Sequence, residues 1–261
     1  MWFSAAMLAH QRHDLILDMV RSNGSVRVRA LAEELGVSEM TIRRDLDSLA
    51  ARNLIEKVHG GATIVGNQTT YEPGFEAKRV RQQDEKHGIA TAAVELVGPG
   101  AAVGLTAGTT TWAMAAMLLD VPDLTVVTNA PATAQVLYQH RRSDQTIVLT
   151  GGVRTPSDAL VGPLATKALE TLHVDTVFMG VHGIDPDVGY TTPNLAEAEV
   201  NAAFLDAAER AVVLADNTKW RLRGLARIAP IDRVDMVISD RSLPSAAIRA
   251  LDESGVELRL T

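Results

Sequence analysis

Apolar residues recur at helical spacing in three short stretches near the start of the chain. Further on they form short, near-continuous runs separated by amphipathic segments. Leu15, Ile16, Met19 and Val20 share one face of a segment from about residue 8 to 22, which Asn23-Gly24 stops. Leu31, Ala32 and Leu35 predict a second, short helix ended by Gly36. Ser38 then reads as the N-cap of a third helix with Glu39 in its first turn, and threonine at 41 leaves the capping box incomplete. In that helix Ile42, Leu46 and Leu49 form the buried stripe, Met40, Arg44 and Asp47 point away from it, and Thr41 and Arg43 lie on the flanks. The next stretch, LIEKVHGGATIV, alternates weakly about a Gly-Gly pair and predicts a two-stranded wing with Lys57 and His59 near its tip.

Residues 66–75 are polar and aperiodic and read as a linker between a domain at 7–65 and a second at 76–261. In the second domain helices at 87–97, 109–119 and 131–140 alternate with strands at 101–106, 124–128 and 146–150. Beyond them VDTVFMG and AVVLAD bracket a helix near 195–209, and VDMVIS precedes a last helix and the strand VELRL. This alternation predicts an α/β domain with a mostly parallel sheet, following a small all-helical head with a wing.

Composition changes this picture little. The 261 residues include no cysteine, which removes disulfides and thiolate chemistry. No apolar run reaches the ~18 residues of a membrane span. The opening MWFSAAMLAH lacks a basic region and a long enough apolar core for a signal peptide, so a cytoplasmic protein is expected, with Met7 as a candidate start. The net charge of −7 is unevenly spread: residues 1–62 balance eight basic against eight acidic side chains. An acidic chain can still bind DNA through such a head if its arginines gather on one face.

Two candidate chemistries emerge. A third helix with exposed arginines near its start, after two short helices and a tight turn, suits a helix-turn-helix reading the major groove. A small bundle with a solvated Arg-Arg pair is the plainer alternative. In parallel sheets ligands gather beyond the carboxyl ends of the strands. Those ends read TAGTTT, TNAP, TGGVRTPSDALVG, GVHGIDPDVGYTTPN and ADNTKW, rich in hydroxyls, amides and glycines, with Arg154 and Lys219 as cations. Each loop alone could be an ordinary turn or cap; five at one edge favour a shared polar pocket. Glu197, Asp185 or Asp216 beside Lys219 could serve an isomerase-like enzyme with an accessory DNA-binding head. Against that, no nucleophile arrangement is present, and His10 and His13 lack further metal-ligand candidates nearby. The expectation is therefore no catalytic residue, no metal and no cofactor.

The stretch VRVRALAEELGVSEMTIRRDLDSLAARNLIEKVHGGA closely resembles the winged helix-turn-helix of DeoR-family transcriptional regulators, VSEMTIRRDL and HGGA being its most specific pieces. Residues 75–240 resemble the sensor domain of the same family in EKHGIA, GTTT, VVTN, TGG, DTVFMGVHGI, GYTTPNLAEAEV and LADNTKW. The resemblance implies a fold like ribose-5-phosphate isomerase and acetyl-CoA transferases, and a phosphorylated sugar or related metabolite as effector. It implies double-stranded operator DNA as partner, repression relieved by effector, control of carbohydrate genes, and a homo-oligomer not bound to membrane. The DNA-facing set is then Arg29, Ser38, Met40, Thr41, Arg43, Arg44, Lys57 and His59. Gly108, Thr109, Thr110 and Thr111 would cradle phosphate, Thr191, Asn194 and Glu197 would line the sugar end, and Lys219 would supply a charge-assisted contact. Thr106, Asn129, Gly151, Gly152, Arg154 and Gly183 complete the effector set. Two departures stand out: Thr106 occupies the place of the family's usual acid, and EKVHGGA lacks the usual basic residue two places before HGGA, having Glu56 and Lys57 nearby.

Overall fold

The structure, a computed structural model, describes residues 8–23, 25–52, 54–58, 60–64, 74–140 and 142–261. The chain divides into two compact units, Met1–Gln68 and Thr69–Thr261. His59, the expected linker residues 66–73 and the candidate start at Met7 lie outside the described residues.

In the first unit the three helical stretches become α1 (Ala9–Asn23), α2 (Val28–Leu35) and α3 (Glu39–Ala51). Gly36 ends α2 in the left-handed region, at φ 65°, where a side chain would be strained. The wing strands are β2 (Ile55–Val58) and β3 (Gly61–Ile64), paired antiparallel, but a third strand, β1 (Ser25–Arg27), pairs with the other edge of β3. Three residues are too few to show a strand period, and the partner is remote in sequence, so β1 left no local signal. The Gly-Gly pair serves this sheet in two ways. Gly60 adopts φ 80°, and a Cβ on Gly61 would stand 2.0 Å from the Val26 carbonyl oxygen. Ile16, Val20, Leu31, Ile42, Leu46, Leu49 and Ile55 close the core of this unit.

The second unit begins with α4 (Phe75–Arg79) and α5 (Gln83–Val94), the latter starting four residues before the position read from periodicity. Then follow β4 (Ala102–Leu105), α6 (Thr109–Met117), β5 (Thr125–Thr128), α7 (Pro131–His140) and β6 (Thr146–Leu149). A short hairpin of β7 (Val153–Arg154) and β8 (Leu160–Val161) leads to α8 (Pro163–Leu169) and β9 (Val174–Gly180). Next come β10 (Gly183–Asp185), β11 (Gly189–Thr192), α9 (Leu195–Asp206), β12 (Ala208–Leu214) and β13 (Ala226–Ala229). The chain finishes with β14 (Met236–Ser239), α10 (Ser245–Glu253) and β15 (Glu257–Leu260).

Seven strands form one sheet in the order β15-β14-β12-β9-β4-β5-β6, and every pair in it is parallel. β10, β11 and β13 make a separate antiparallel sheet. That sheet, the β7–β8 hairpin and α8 are absent from the sequence reading, because their polar, glycine-rich residues read equally well as loop. The main strands read as continuous apolar runs because both faces are covered. Val177 and Met179 enter one core cluster, and Phe178 between them enters the other. From β4 the chain runs outward through β5 to β6, then returns to place β9 on the other side of β4 before running outward through β12, β14 and β15. The β4–β9 boundary is therefore the topological switch point, where adjoining loops diverge and leave a crevice.

Candidate functional site

In the first unit, α3 is positioned by its cap and its stripe. The Ser38 hydroxyl accepts from Thr41 N–H at 3.1 Å and lies 2.9 Å from the Thr41 hydroxyl, while Ile42, Leu46 and Leu49 are fully buried. The opposite face carries Met40, 60% exposed, together with exposed Arg43 and Arg44 and half-buried Thr41. Arg43 pairs loosely with Glu39 at 3.4 Å, and Arg29 on α2 pairs with Glu33 at 3.0 Å, both on the surface. Arg44 has no ion-pair or hydrogen-bond partner among the described residues, so its guanidinium is available. Lys57 of β2 reaches Asp47 of α3, joining wing to helix.

One polar group here escaped the sequence reading. Asp45 is buried, and its carboxylate accepts from Arg12 Nε at 2.5 Å and Nη2 at 3.0 Å, with His13 Nε2 at 2.9 Å. This clasp ties α1 to α3, and the carboxylate holds the Arg12 guanidinium above its ordinary pKa. The signal was present: residue 45 follows Ile42 by three and so belongs to the buried face.

In the second unit the loop Thr106–Thr111 lies at the switch point. Thr106 is fully buried; its hydroxyl accepts from Gly180 N–H at 3.1 Å and so laces the end of β4 to the end of β9. The backbone approach here is close, since a Cβ on Gly108 would meet Gly180 Cα at 3.6 Å. Asn129, at the end of β5, accepts from Ala107 N–H at 2.9 Å and donates to Leu160 O at 3.1 Å. The Thr111 hydroxyl donates to Thr106 O at 2.7 Å and Gly108 O at 3.0 Å, so its proton is committed within the loop. Thr109 and Thr110 differ: their hydroxyls have no intramolecular partner among the described residues. They begin α6, whose first-turn N–H groups are unsatisfied by the helix and carry partial positive charge.

Cations crowd the neighbouring strand ends. Lys86, on α5, is buried; Nζ donates to Lys78 O and to Arg81 O at 2.6 Å, leaving one ammonium proton uncommitted. Burial, reinforced by the charge of Lys219, pushes its pKa down to about 8, and Asp216 opposes that shift. His182, two residues past β9, is pushed down to about 3 by burial and by the charges of Lys219 and Lys78, so it is neutral across the physiological range. Lys219 follows β12 in the short turn Asn217–Lys219, which Asp216 caps through Thr218 N–H at 3.0 Å. Lys86 and His182 were not picked out from sequence; EKHGIA and DTVFMGVHGI contained them, but a helix lysine and a loop histidine carry no spacing signal.

The remaining residues gather around Glu197 or serve the backbone. Glu197 is buried and has no cationic partner among the described residues; its carboxylate accepts from Thr155 at 2.6 Å, from Ser157, and from Thr192 at 3.5 Å. Asn194 caps α9, accepting from Ala196 and Glu197 N–H at 3.0 and 3.3 Å. The Thr191 hydroxyl donates to Gly183 O and accepts from Gly224 N–H at 2.9 Å, and Gly183 admits the Leu222 carbonyl where a Cβ could not fit. Gly151 and Gly152 both have positive φ, and Gly152 packs against the Val161 backbone. Arg154 is exposed and pairs with buried Asp158 at 2.6 Å. The structure thus brings Thr109, Thr110, Lys86, His182 and Lys219 to adjacent strand ends, while Gly151, Gly152, Thr191 and Gly183 shape the backbone.

A DeoR-like helix-turn-helix domain matches residues 12–68, and a DeoR C terminal sensor domain matches residues 81–241. The L-fucose operon activator of Haemophilus influenzae is 34% identical over 236 residues, covering 89% of this chain and 92% of that protein. The glycerol-3-phosphate regulon repressor of Escherichia coli K12 is 29% identical over 251 residues, covering 96% of this chain and 98% of the relative. Among solved structures, a D-ribose-5-phosphate isomerase in complex with phospho-erythronic acid is 17% identical, covers 53% of this chain and 54% of its own, and has a TM-score of 0.40.

Proposed function

This chain belongs to the DeoR family of transcriptional regulators, and we propose on that footing that a phosphorylated sugar or related metabolite, held at the ends of β4 and β9, sets its affinity for operator DNA. It is a DNA-binding regulator and not an enzyme. In the proposed reading α3 enters the major groove, with Arg44 free for a base edge or phosphate and Thr41, Arg43 and Met40 beside it. Ser38 holds the helix start, and Arg29, Lys57 and His59 contact the DNA backbone.

The observation that carries the effector site is the start of α6. Two unpartnered hydroxyls and the free N–H groups of a helix N-terminus open at the switch point, and Lys86 and Lys219 supply charge nearby. A phosphate dianion suits that combination. Glu197, with its ring of hydroxyls, suits the polyol part of a sugar, because a carboxylate accepts from hydroxyls on the ligand as readily as from Thr155 and Ser157. The direction we assign is repression relieved by effector, in the cytoplasm, by a homo-oligomer on carbohydrate genes. The glycerol-3-phosphate relative is named a repressor and the fucose relative an activator, so direction is an outcome of the test.

The test is a mobility-shift titration on a DNA fragment selected by binding, with a panel of sugar phosphates and their unphosphorylated parents. One phosphorylated sugar should change operator affinity by tenfold or more, and its parent should not. Lys219→Ala should keep DNA affinity and lose the response. An equal response to the parent sugar, or a full response in the variant, overturns the site.

A further inference from the structure

The main sheet has two edge strands, β6 and β15. Along β6, Thr146 N–H donates to Leu124 O at 2.9 Å and Thr150 N–H to Thr128 O at 3.0 Å. Alternation therefore turns the N–H and C=O groups of Ile147 and Leu149 away from β5, and no described strand pairs with them. The strand reads Thr-Ile-Val-Leu, with no charge and no proline. Leu149 is 45% exposed, and Ile147 and Val148 are half-buried against the two different core clusters. Such a bare apolar edge is a template for another strand unless something covers it.

The strand most complementary to this edge is the same strand from a second copy. In an antiparallel arrangement about a two-fold axis at Val148, Ile147 of each copy faces Leu149 of the other. Each such pair exchanges two hydrogen bonds, so all the outward groups of both residues are satisfied. Val148 then faces Val148 of the second copy as a non-hydrogen-bonded pair, with Cα atoms about 4.5 Å apart. The central cross-strand contacts, Ile147 on Leu149 and Val148 on Val148, are apolar on apolar, and Thr146 faces Thr150 on either side of them.

The opposite edge supplies the contrast. In β15, Glu257 N–H donates to Asp235 O and Thr261 N–H to Ser239 O, which turns Leu258 and Leu260 outward. The same construction would set Arg259 against Arg259 of the second copy, a like-charge pair that opposes association. Arg259 and Glu257 are also engaged, with Glu95 and with Arg210 at 3.4 Å. One edge is self-complementary and the other self-repelling.

We propose that β6 is the dimer surface, on which two copies of this chain join edge to edge about Val148 into one continuous sheet. Paired heads reading two half-sites need such a two-fold contact, and the edge chemistry selects which strand supplies it.

The chain has no cysteine, so a single introduced thiol reports its own neighbours. Val148→Cys should form a covalent dimer under mild oxidation, since the expected Cα separation lies within the disulfide range. Arg259→Cys should not. Leu149→Pro removes only an outward N–H, which an edge strand tolerates, and should halve the mass found by light scattering for the full chain. Leu149→Lys, at an exposed position, should do the same if the proline variant misfolds. A monomeric wild type, cross-linking through Arg259→Cys but not Val148→Cys, or wild-type mass in both Leu149 variants overturns the proposal.

Discussion

Lys86 should make anion binding pH-dependent in a window that its burial defines. Its pKa is lowered to about 8 from 10.5, mainly by burial, and an anion at the start of α6 is best served by the charged form. With a pKa of about 8, roughly nine-tenths of the ammonium is charged at pH 7 and roughly one-tenth at pH 9. If only the charged form holds the anion, affinity should fall about tenfold between those two pH values. Sulfate is the probe of choice because it stays a dianion across the window, whereas phosphate changes its own charge. A titration followed by tryptophan fluorescence at constant ionic strength, using Trp112 on α6 and Trp220 beside Lys219, reads the effect. The same group drives stability the other way. The unfolded chain retains the Lys86 proton up to about pH 10.5 while the ligand-free folded chain releases it near 8, so this lysine's contribution to stability rises with pH between those values. Lys86→Met should flatten both trends and raise the melting temperature at pH 7. Equal sulfate affinity at pH 7 and 9, or an undiminished decline in the variant, refutes the assignment of Lys86 to the anion.

Three further predictions concern the first unit. Asp45→Ala leaves the largely buried Arg12 guanidinium without its carboxylate and should destabilise this unit by about 3 kcal/mol in urea unfolding; a loss under about 0.5 kcal/mol would mean the clasp is idle. Gly61→Ala drives a methyl group into the Val26 carbonyl and should separate β1 from β3, measured as lost amide protection at Val26 with the wing's DNA contribution lost as well. Arg44→Ala should weaken operator binding by about 1–3 kcal/mol if the side chain reads a base, and a uniform loss across sequences with a shallower salt slope would move it to phosphate contact.

Periodicity carried α3 and the main sheet well. The stripe Ile42, Leu46 and Leu49 needs only the 3.6-residue repeat, and the runs VDTVFMG and AVVLAD announce strands buried on both faces. The candidate site was half legible. The threonine loop and the turn with Lys219 stood out because hydroxyls, glycines and a lysine cluster at strand ends. Lys86 and His182 did not, since their burial and mutual fields come from α5, the end of β9 and the turn after β12 meeting in space.

The amino-acid sequence by itself determined the local units: where helices start and stop, which face of each is apolar, and which strands are covered on both sides. Those properties depend on side chains within a few residues of one another. Only the tertiary structure decided the strand order, and with it the switch point that opens beside Thr109 and Thr110. It also decided that Asn129 spends its polar groups on the backbone of two distant segments, that Asp45 is a clasp, and that one edge strand of the sheet is uncharged while the other carries Glu257 and Arg259. These are contacts between residues far apart in the chain, and no local pattern of hydrophobicity encodes which distant partner a polar group meets.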